Sequence, residues 1–243
     1  MTRTIVTGDI HGGLKALQQL MMRVSPEKND RLIFLGDYVD GWPESANVID
    51  YLLKLEADHE CIFIKGNHDV WCEEWLTNGT PNNEWLFNGG KSTVESYHNL
   101  DERRKEQHLL FFNRLKNYYV DEQNRLYIHA GFTSVHGPEK EHYVSNFNMD
   151  RTLWEMALTV DQRISKESKL YPKRLLHYKE IFIGHTPTTN YDVSEPMQGC
   201  NVWNIDTGAA FYGSLSALDT DTRQFWQSDI VQTLYPNEKG RNK

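Results

Sequence analysis

The sequence contains little cysteine. Its three cysteines, Cys61, Cys72 and Cys200, form no Cys-x-x-Cys pair and are too few for a disulfide framework. Free thiols of this kind are typical of a reducing compartment. The lack of a thiolate pair also argues against a structural zinc site, because such sites are built mostly from cysteine.

Long apolar runs are missing as well. No stretch of the sequence approaches the roughly 18 consecutive apolar residues that a membrane-spanning helix needs. Residues 1–8 are too short and too polar to form a signal peptide. We therefore predict a soluble, cytoplasmic protein without a membrane partner.

The sequence also lacks a surplus of positive charge. Its 26 basic residues are outnumbered by 34 acidic residues, which gives a formal net charge of -8. Nonspecific nucleic-acid binding depends on lysine and arginine side chains that neutralise phosphates. We therefore predict no such binding, although a local basic site remains compatible with the composition.

Internal repeats and low-complexity linkers are absent from the sequence. A chain of 243 residues, 39% of them hydrophobic, can bury the core of one large domain, which we place at residues 1–236. The polar residues 237–243 are predicted to form a disordered tail.

The first part of the chain alternates between two periodicities. Short apolar, largely β-branched runs at residues 4–7, 31–35 and 61–64 predict strands, and apolar positions at helical spacing between them predict helices. This order favours an α/β fold that begins with mostly parallel strands. From residue 202 onward, short runs separated by turn residues predict mainly β structure.

Five short phrases carry the chemistry of the sequence. Four of them place Asp, Asn or His beside glycine at the point where an apolar run ends, and His129-Ala130-Gly131 adds a fifth. The phrases are Gly8-Asp9-Ile10-His11-Gly12, Gly36-Asp37-Tyr38-Val39-Asp40, Gly66-Asn67-His68-Asp69, His129-Ala130-Gly131 and Gly184-His185-Thr186. Ligands of open α/β sheets bind at the carboxyl ends of strands, so we expect these side chains to lie together.

Six residues of these phrases are candidate metal ligands: Asp9, His11, Asp37, Asn67, His129 and His185. Carboxylate, amide and imidazole groups together suit manganese, iron or zinc. One catalytic ion with open positions does not need six ligands, whereas two ions that share a bridging carboxylate would use them all. Two ions about 3.5–4 Å apart polarise a phosphoryl group and lower the pKa of bound water to about 7, which supplies hydroxide to attack phosphorus. We predict two divalent metal ions and expect manganese in preference to iron or zinc.

The phrases at residues 8–12, 36–40 and 66–69 resemble the signatures of the calcineurin-like metallophosphoesterases, and they occur in the family's order. The similarity is greatest to the phosphoprotein phosphatase branch, which includes bacterial and phage Ser/Thr phosphatases and symmetrical diadenosine tetraphosphatases. It extends from Asp9 to about Leu218. The resemblance implies an α/β fold in which two β-sheets form a sandwich flanked by helices.

The resemblance also implies a role for each matching residue. One metal ion would be held by Asp9, His11 and Asp37. The second would be held by Asp37, Asn67, His129 and His185, so that Asp37 bridges the two ions. His68 would protonate the leaving oxygen, and Asp40 would orient the imidazole and stabilise its positive charge.

The sequence departs from the family pattern where the family binds the substrate phosphate. The second signature normally continues as Asp-Arg-Gly, whereas Asp40 is followed here by Gly41 and Trp42. A second arginine normally follows a Leu-Trp pair, whereas Leu153-Trp154 leads here to Glu155-Met156. Both arginines whose planar groups match phosphate oxygens are therefore missing from the expected positions.

Other side chains are candidates for substrate binding. Asn67, Lys91 and Arg151 offer polar contacts, and Trp42 offers a ring for stacking on an aromatic or nucleobase group. The alternatives are a solvated surface for Lys91 and Arg151 and core packing for Trp42. Asp206-Thr207-Gly208 is interpreted as a turn that supports the site.

These features predict a phosphoesterase, with a Ser/Thr-protein-phosphatase-like enzyme as the main interpretation. A hydrolase of dinucleoside polyphosphates or other small phosphoesters is the alternative of the same class. A metal-binding or partner-binding scaffold without catalysis is the alternative of a different class. The expected partner is accordingly a phosphorylated protein or a small phosphoester.

Overall fold

The computed structural model describes residues 2–242. Its strands are β1 (Thr4–Thr7), β2 (Arg31–Phe34), β3 (Glu60–Phe63), β4 (Tyr118–Val120), β5 (Arg125–Ile128), β6 (Glu180–Ile183), β7 (Met197–Gly199), β8 (Val202–Asn204), β9 (Ser214–Asp219) and β10 (Phe225–Ile230). Its helices are α1 (Leu14–Val24), α2 (Ser45–Asp58), α3 (Asn67–Asn78), α4 (Asn83–Trp85), α5 (Lys91–Ser96), α6 (Glu102–Asn113), α7 (Asn146–Met149), α8 (Thr152–Thr159) and α9 (Val231–Leu234). A π-helical segment, Leu86–Gly90, joins α4 to α5.

The strands form two mixed sheets of five strands each, in the orders β10-β9-β1-β2-β3 and β4-β5-β6-β8-β7. In the first sheet β1, β2 and β3 are parallel, and β9 and β10 are added antiparallel. In the second sheet β5, β6 and β8 are parallel, with antiparallel strands at both edges. Parallel strands place their carboxyl ends at one edge of each sheet, which is where the polar phrases occur.

The two sheets pack face to face through a buried apolar layer. This layer includes Val6 and Ile33 from the first sheet and Tyr127 and Phe182 from the second. The two aromatic rings stack with centroids 5.1 Å apart. Because both faces of these parallel strands are covered, the strands are apolar on both sides rather than alternating.

Helices cover the outer face of each sheet. Helix α1 buries its apolar residues, which recur every three or four positions, against the first sheet together with α2 and α6. Helix α8 buries Leu153, Trp154 and Ala157 against the second sheet. The predicted fold class, an α/β sandwich of two sheets flanked by helices, is confirmed. None of the helices within residues 2–242 is both long and apolar enough to cross a membrane.

The structure differs from the sequence prediction at residues 237–242, which were expected to be disordered. They pack against the loops that contain Trp42 and Ala210. The backbone N–H of Arg241 donates to the carbonyl of Ala210 at 2.9 Å, and Gly240 lies against the ring of Trp42. Hydropathy did not reveal this segment because its contacts are made by glycine, arginine and backbone groups.

A buried arginine pairs with a carboxylate of its own sheet and with a partly exposed carboxylate of the other sheet. Arg125, at the start of β5, is 2% exposed, and its Nε donates to Asp121 at 2.6 Å. The same guanidinium donates to Asp221, in the turn after β9 of the other sheet, at 2.7 Å. Asp121 also accepts a hydrogen bond from the hydroxyl of Tyr127 at 3.0 Å.

We predict that Asp121→Asn lowers the free energy of unfolding by about 3 kcal/mol, because it leaves a buried guanidinium without its nearest counter-charge. Urea unfolding measures the effect. Asp161→Asn is the matched control: Asp161 pairs with Arg163 at a similar 2.6 Å, but that guanidinium is 90% exposed. The control should show no measurable change, and equal losses in the two variants would contradict the interpretation.

Candidate metal centre

The predicted ligands converge at the carboxyl ends of the parallel strands. Asp9 and His11 follow β1, Asp37 follows β2 and Asn67 begins α3 after β3. His129 and His185 follow β5 and β6 of the second sheet. The centre therefore lies where the two sheets present the same edge, and each sheet contributes ligands to it.

Asp37 lies at the middle of this cluster. Its Oδ2 is 3.5 Å from Nε2 of His11 and 3.5 Å from Nε2 of His129. Nε2 of His129 is also 3.3 Å from Oδ1 of Asn67. Asp37 belongs to two groups of possible ligands. One group is Asp37 with His11 and His68, and the other is Asp37 with His129 and His185. Within each group the ligand atoms all lie within 4.8 Å of one another.

Asp9 lies beside this cluster rather than in either group. Its carboxylate is 3.9 Å from Nε2 of His11 and accepts a hydrogen bond from the backbone N–H of His185 at 3.1 Å. Asp9 therefore lies near His11, whereas His68 rather than Asp9 is grouped with His11 and Asp37.

The histidines present lone pairs that suit a metal ion. Nδ1 of His129 lies 2.8 Å from the carbonyl of Leu35, and a proton donated there leaves Nε2 free to coordinate. Among residues 2–242, the buried atoms Nδ1 of His11 and Nε2 of His185 have no hydrogen-bond partner. Burial lowers the pKa of all three histidines, which favours the neutral, metal-binding form. The nitrogen and oxygen donor set fits a divalent transition metal.

Backbone strain is concentrated at this site. His11, Asp37, Asp40 and His185 all have left-handed backbone conformations, with φ values of 53°, 52°, 75° and 69°. Such conformations are unfavourable for residues with a side chain and persist only where the surrounding structure enforces them. Here they turn side chains at the strand ends back toward the centre.

Two glycines leave the space that the carboxylates occupy. A Cβ atom at Gly66 would lie 2.1 Å from Oδ1 of Asp37, and one at Gly184 would lie 2.1 Å from Oδ1 of Asp9. No side chain fits at these distances. Gly66 and Gly184 are therefore required by close packing against the carboxylates of Asp37 and Asp9.

The carboxylate of Asp69 connects two of the site loops. It is fully buried and accepts hydrogen bonds from the backbone N–H groups of Asp37 at 2.8 Å, Tyr38 at 2.9 Å and Gly66 at 2.8 Å. These bonds hold the loop after β2 against the start of α3. Asp69 thus positions the backbone of Asp37 without contacting the cluster through its own side chain.

A buried His–Asp pair lies beside the cluster. Nδ1 of His68 is 2.5 Å from Oδ2 of Asp40, and that oxygen also accepts from the indole of Trp85 at 2.6 Å. The other carboxylate oxygen accepts from the hydroxyl of Thr93 at 2.6 Å. Both oxygens are therefore fixed, and the imidazole is held edge-on between His11 and Trp71. A carboxylate in this position stabilises an imidazolium.

Comparison with known proteins identifies the family of this chain. The model of the calcineurin-like phosphoesterases matches residues 2–212.

The chain belongs to the calcineurin-like phosphoesterase family. It is accordingly a hydrolase that acts on phosphoesters, and divalent metal ions are implied by the family. The resemblance stated from the sequence is confirmed, and the interpretation as an enzyme is favoured over a scaffold without catalysis.

Individual relatives cover most of the chain. It is 28% identical over 233 residues to the asymmetrical bis(5'-nucleosyl)-tetraphosphatase PrpE of Anoxybacillus flavithermus, with 88% of each chain covered. It is 29% identical over 235 residues to the protein of the same name from Bacillus thuringiensis, again with 88% of each covered.

Solved structures share the fold. One, described as a candidate diadenosine tetraphosphatase, has a TM-score of 0.64 at 18% identity. The match covers 93% of this chain and 92% of the chain in that structure. A protein serine/threonine phosphatase from Saccharomyces cerevisiae has a TM-score of 0.60 at 13% identity. The match covers 100% of this chain and 84% of the phosphatase chain. At these identities the likeness concerns the fold alone.

Trp42 does not lie in this phosphoesterase site as a substrate contact. Its side chain is fully buried, its indole N–H donates to the carbonyl of Ala209 at 2.8 Å and its ring stacks on Tyr235. The structure corrects the predicted stacking on a nucleobase in favour of the core-packing alternative, because no face of the ring is free.

The two predicted basic contacts have different positions. Arg151 lines a cavity of about 140 Å³ together with His11, His185 and Asp206. Lys91, the first residue of α5, lies instead on a neighbouring surface depression that includes Gly41. The structure therefore brings Arg151, but not Lys91, to the cavity beside the predicted ligands.

Two residues of the same cavity were not among the predicted site residues. Asp206 was interpreted only as part of a supporting turn, and Arg241 lies in the segment expected to be disordered. Burial, assisted by the charge of Asp37, raises the pKa of Asp206 to about 7. The match of Asp206-Thr207-Gly208 to a family segment was the available signal for Asp206, whereas nothing in the local sequence indicates Arg241.

We predict that Asp69→Asn lowers the free energy of unfolding by about 2–3 kcal/mol, because an amide cannot replace a carboxylate that accepts three buried N–H groups. The variant should also bind metal ions more weakly, since the loop that carries Asp37 loses its anchor. Urea unfolding and metal titration measure the two effects. Asp58→Asn, at an exposed position at the end of α2, is the control, and a wild-type metal affinity in Asp69→Asn would contradict the anchoring role.

Proposed function

We propose that this phosphoesterase uses two divalent metal ions to hydrolyse dinucleoside tetraphosphates. The observation that carries the chemistry is that Asp37 lies among His11, His68, His129 and His185, and that His68 is hydrogen-bonded to Asp40. The substrate class is supported by the relatives that cover 88% of the chain and are named asymmetrical bis(5'-nucleosyl)-tetraphosphatases. They favour this alternative over the Ser/Thr-protein-phosphatase function that the sequence analysis put first.

The ligands divide into two sets around Asp37. In this proposal Asp9, His11 and Asp37 hold one ion. Asp37, Asn67, His129 and His185 hold the other. Ions held in this way polarise a phosphoryl oxygen and supply an activated water. Manganese is the first choice, and iron or zinc also suits these donors.

The protein's own groups act on the leaving oxygen. His68 is 2% exposed and hydrogen-bonded through Nδ1 to Asp40, so its other ring nitrogen can carry a proton toward the cluster. In the proposed reaction this proton passes to the oxygen that departs from phosphorus. Asp40 stabilises the charged imidazole before the transfer, and Trp85 and Thr93 keep Asp40 in place.

The remaining substrate-binding proposals concern Asn67 and Arg151. Asn67 lies 3.3 Å from His129, at the edge of the cluster. Arg151 reaches the cavity that adjoins His11 and His185. A guanidinium at this position suits a substrate with several phosphates because its planar fork matches phosphate oxygens.

The substrate proposal is tested by comparing diadenosine tetraphosphate with a phosphoserine peptide, each with the manganese-loaded protein. We expect faster turnover of the dinucleotide. Cleavage of an outer phosphoanhydride releases AMP and ATP, which chromatography separates from the two ADP molecules of a symmetrical cut. Turnover of the peptide alone would favour the protein phosphatase function, and two ADP molecules would contradict asymmetrical cleavage.

Two variants distinguish the proposed proton donor, His68, from the proposed shared metal ligand, Asp37. We expect His68→Asn to lower kcat by about 10²–10⁴-fold, the usual contribution of a general acid, while metal content stays unchanged. Asp37→Asn should lower both activity and the number of bound ions, because a shared ligand is lost.

Metal content by mass spectrometry is the deciding measurement for this pair. Asp58→Asn removes one exposed carboxylate and controls for the change of charge. An Asp37→Asn protein that retains two tightly bound ions would contradict the bridging role. Loss of metal from His68→Asn would instead identify His68 as a ligand.

A further inference from the structure

The space beside Gly41 is filled by a side chain from the far end of the chain. A Cβ atom at Gly41 would lie 3.1 Å from Cγ and 3.6 Å from Cδ of Arg241. A Cβ atom at Gly89 would lie 3.3 Å from the same Cγ. The aliphatic stem of Arg241 therefore runs between two glycines, at the position where the sequence lacks the expected arginine.

Trp42 and Gly240 complete the same contact. The ring of Trp42 stacks on Tyr235 and is covered by Gly240, where a Cβ atom would lie only 2.6 Å from the indole. Gly41 thus contacts Arg241, and Trp42 contacts Gly240. The departure from the family pattern at Gly41-Trp42 creates the seat for this later segment.

Arg241 is held in place where it lines both the cavity and the neighbouring surface depression. The backbone N–H of Arg241 donates to Ala210 at 2.9 Å, and the guanidinium carbon lies 5.3 Å from the ring centroid of Phe211. Phe211 lines the cavity of about 140 Å³ together with Arg241, Arg151 and the predicted ligands His11 and His185. Stacking on an aromatic face leaves the edge of a guanidinium available to an anion.

Neither cavity arginine forms an ion pair within the described residues, although the carboxyl group of Asp206 lines the same cavity. Within the part of the chain that the structure describes, residues 2–242, no ion pair or side-chain hydrogen bond involves the guanidinium of Arg151 or Arg241. Arg151 is exposed and Arg241 is half-buried, whereas the more buried Arg125 and the half-buried Arg3 and Arg31 all pair with a carboxylate. Two unpaired cations beside a predicted metal centre, in a chain of net charge -8, form a site for an anion.

We propose that Arg241, together with Arg151, binds a phosphate group of the substrate, so that this one residue of the segment 237–242 belongs to the substrate site. This inference rests on the proposed function, because it assumes that a phosphate compound enters the cavity beside the metal centre. A dinucleoside tetraphosphate has phosphates besides the one attacked, and two guanidinium groups supply the planar donors that fit them.

Binding of inorganic phosphate to the metal-loaded protein tests Arg241 without requiring turnover. We expect Arg241→Gln to raise the Kd for phosphate, measured by calorimetry, by about tenfold or more, because a charged hydrogen-bond donor is lost. Arg241→Lys, which keeps the stem and the charge, should cause a smaller loss. Metal content and melting temperature should match the wild type in both variants.

Lys239→Gln is the matched control, because it removes one exposed charge from the same segment. With diadenosine tetraphosphate, Arg241→Gln should raise KM, and added guanidinium ion should restore part of the loss, whereas neither effect is expected in the control. An unchanged phosphate Kd in Arg241→Gln would overturn the proposal. Wild-type protein that binds phosphate through Arg241 but does not hydrolyse dinucleotides would contradict the proposed substrate and leave this assignment standing.

Discussion

The shared position of the Asp37 carboxylate is the constraint on which the rest of the site depends. It lies 3.5 Å from a histidine that follows β1 of the first sheet and 3.5 Å from a histidine that follows β5 of the second. The two sheets must therefore keep a fixed separation at this edge. The stacked layer between the sheets and the two ion pairs of the buried Arg125 provide that rigidity.

Concentrating carboxylates at one buried point is unfavourable in free energy. The unfavourable contributions are visible in a carboxyl pKa and in the backbone conformations of the site. Burial, together with the charges of Asp206 and Asp37, raises the pKa of Asp9 well above its usual range. The four left-handed residues add backbone strain. A cation bound at Asp37 would offset the repulsion, so the same features that are unfavourable in the protein alone favour binding of divalent ions.

The sequence was informative where chemistry depends on local position. Asp9, Asp37 and His129 each lie within three residues of the end of a strand, so strand pattern and side-chain type together predicted their convergence. Trp42 was ambiguous because a tryptophan beside a site and one in the core have the same local sequence. Its burial depends on Tyr235 and Gly240, nearly 200 residues further along the chain. Arg241 could not be predicted for the same reason, since its segment has no apolar periodicity and its partners are Gly41, Gly89 and Phe211.

The central claim is that Asp37 bridges two metal ions, and anomalous diffraction from crystals of the manganese-loaded protein tests it most directly. We expect two anomalous peaks about 3.5–4 Å apart, one on each side of the Asp37 carboxylate. His11 should lie beside one peak, and His129 and His185 beside the other. A single peak, or two peaks that do not share Asp37, would contradict the account.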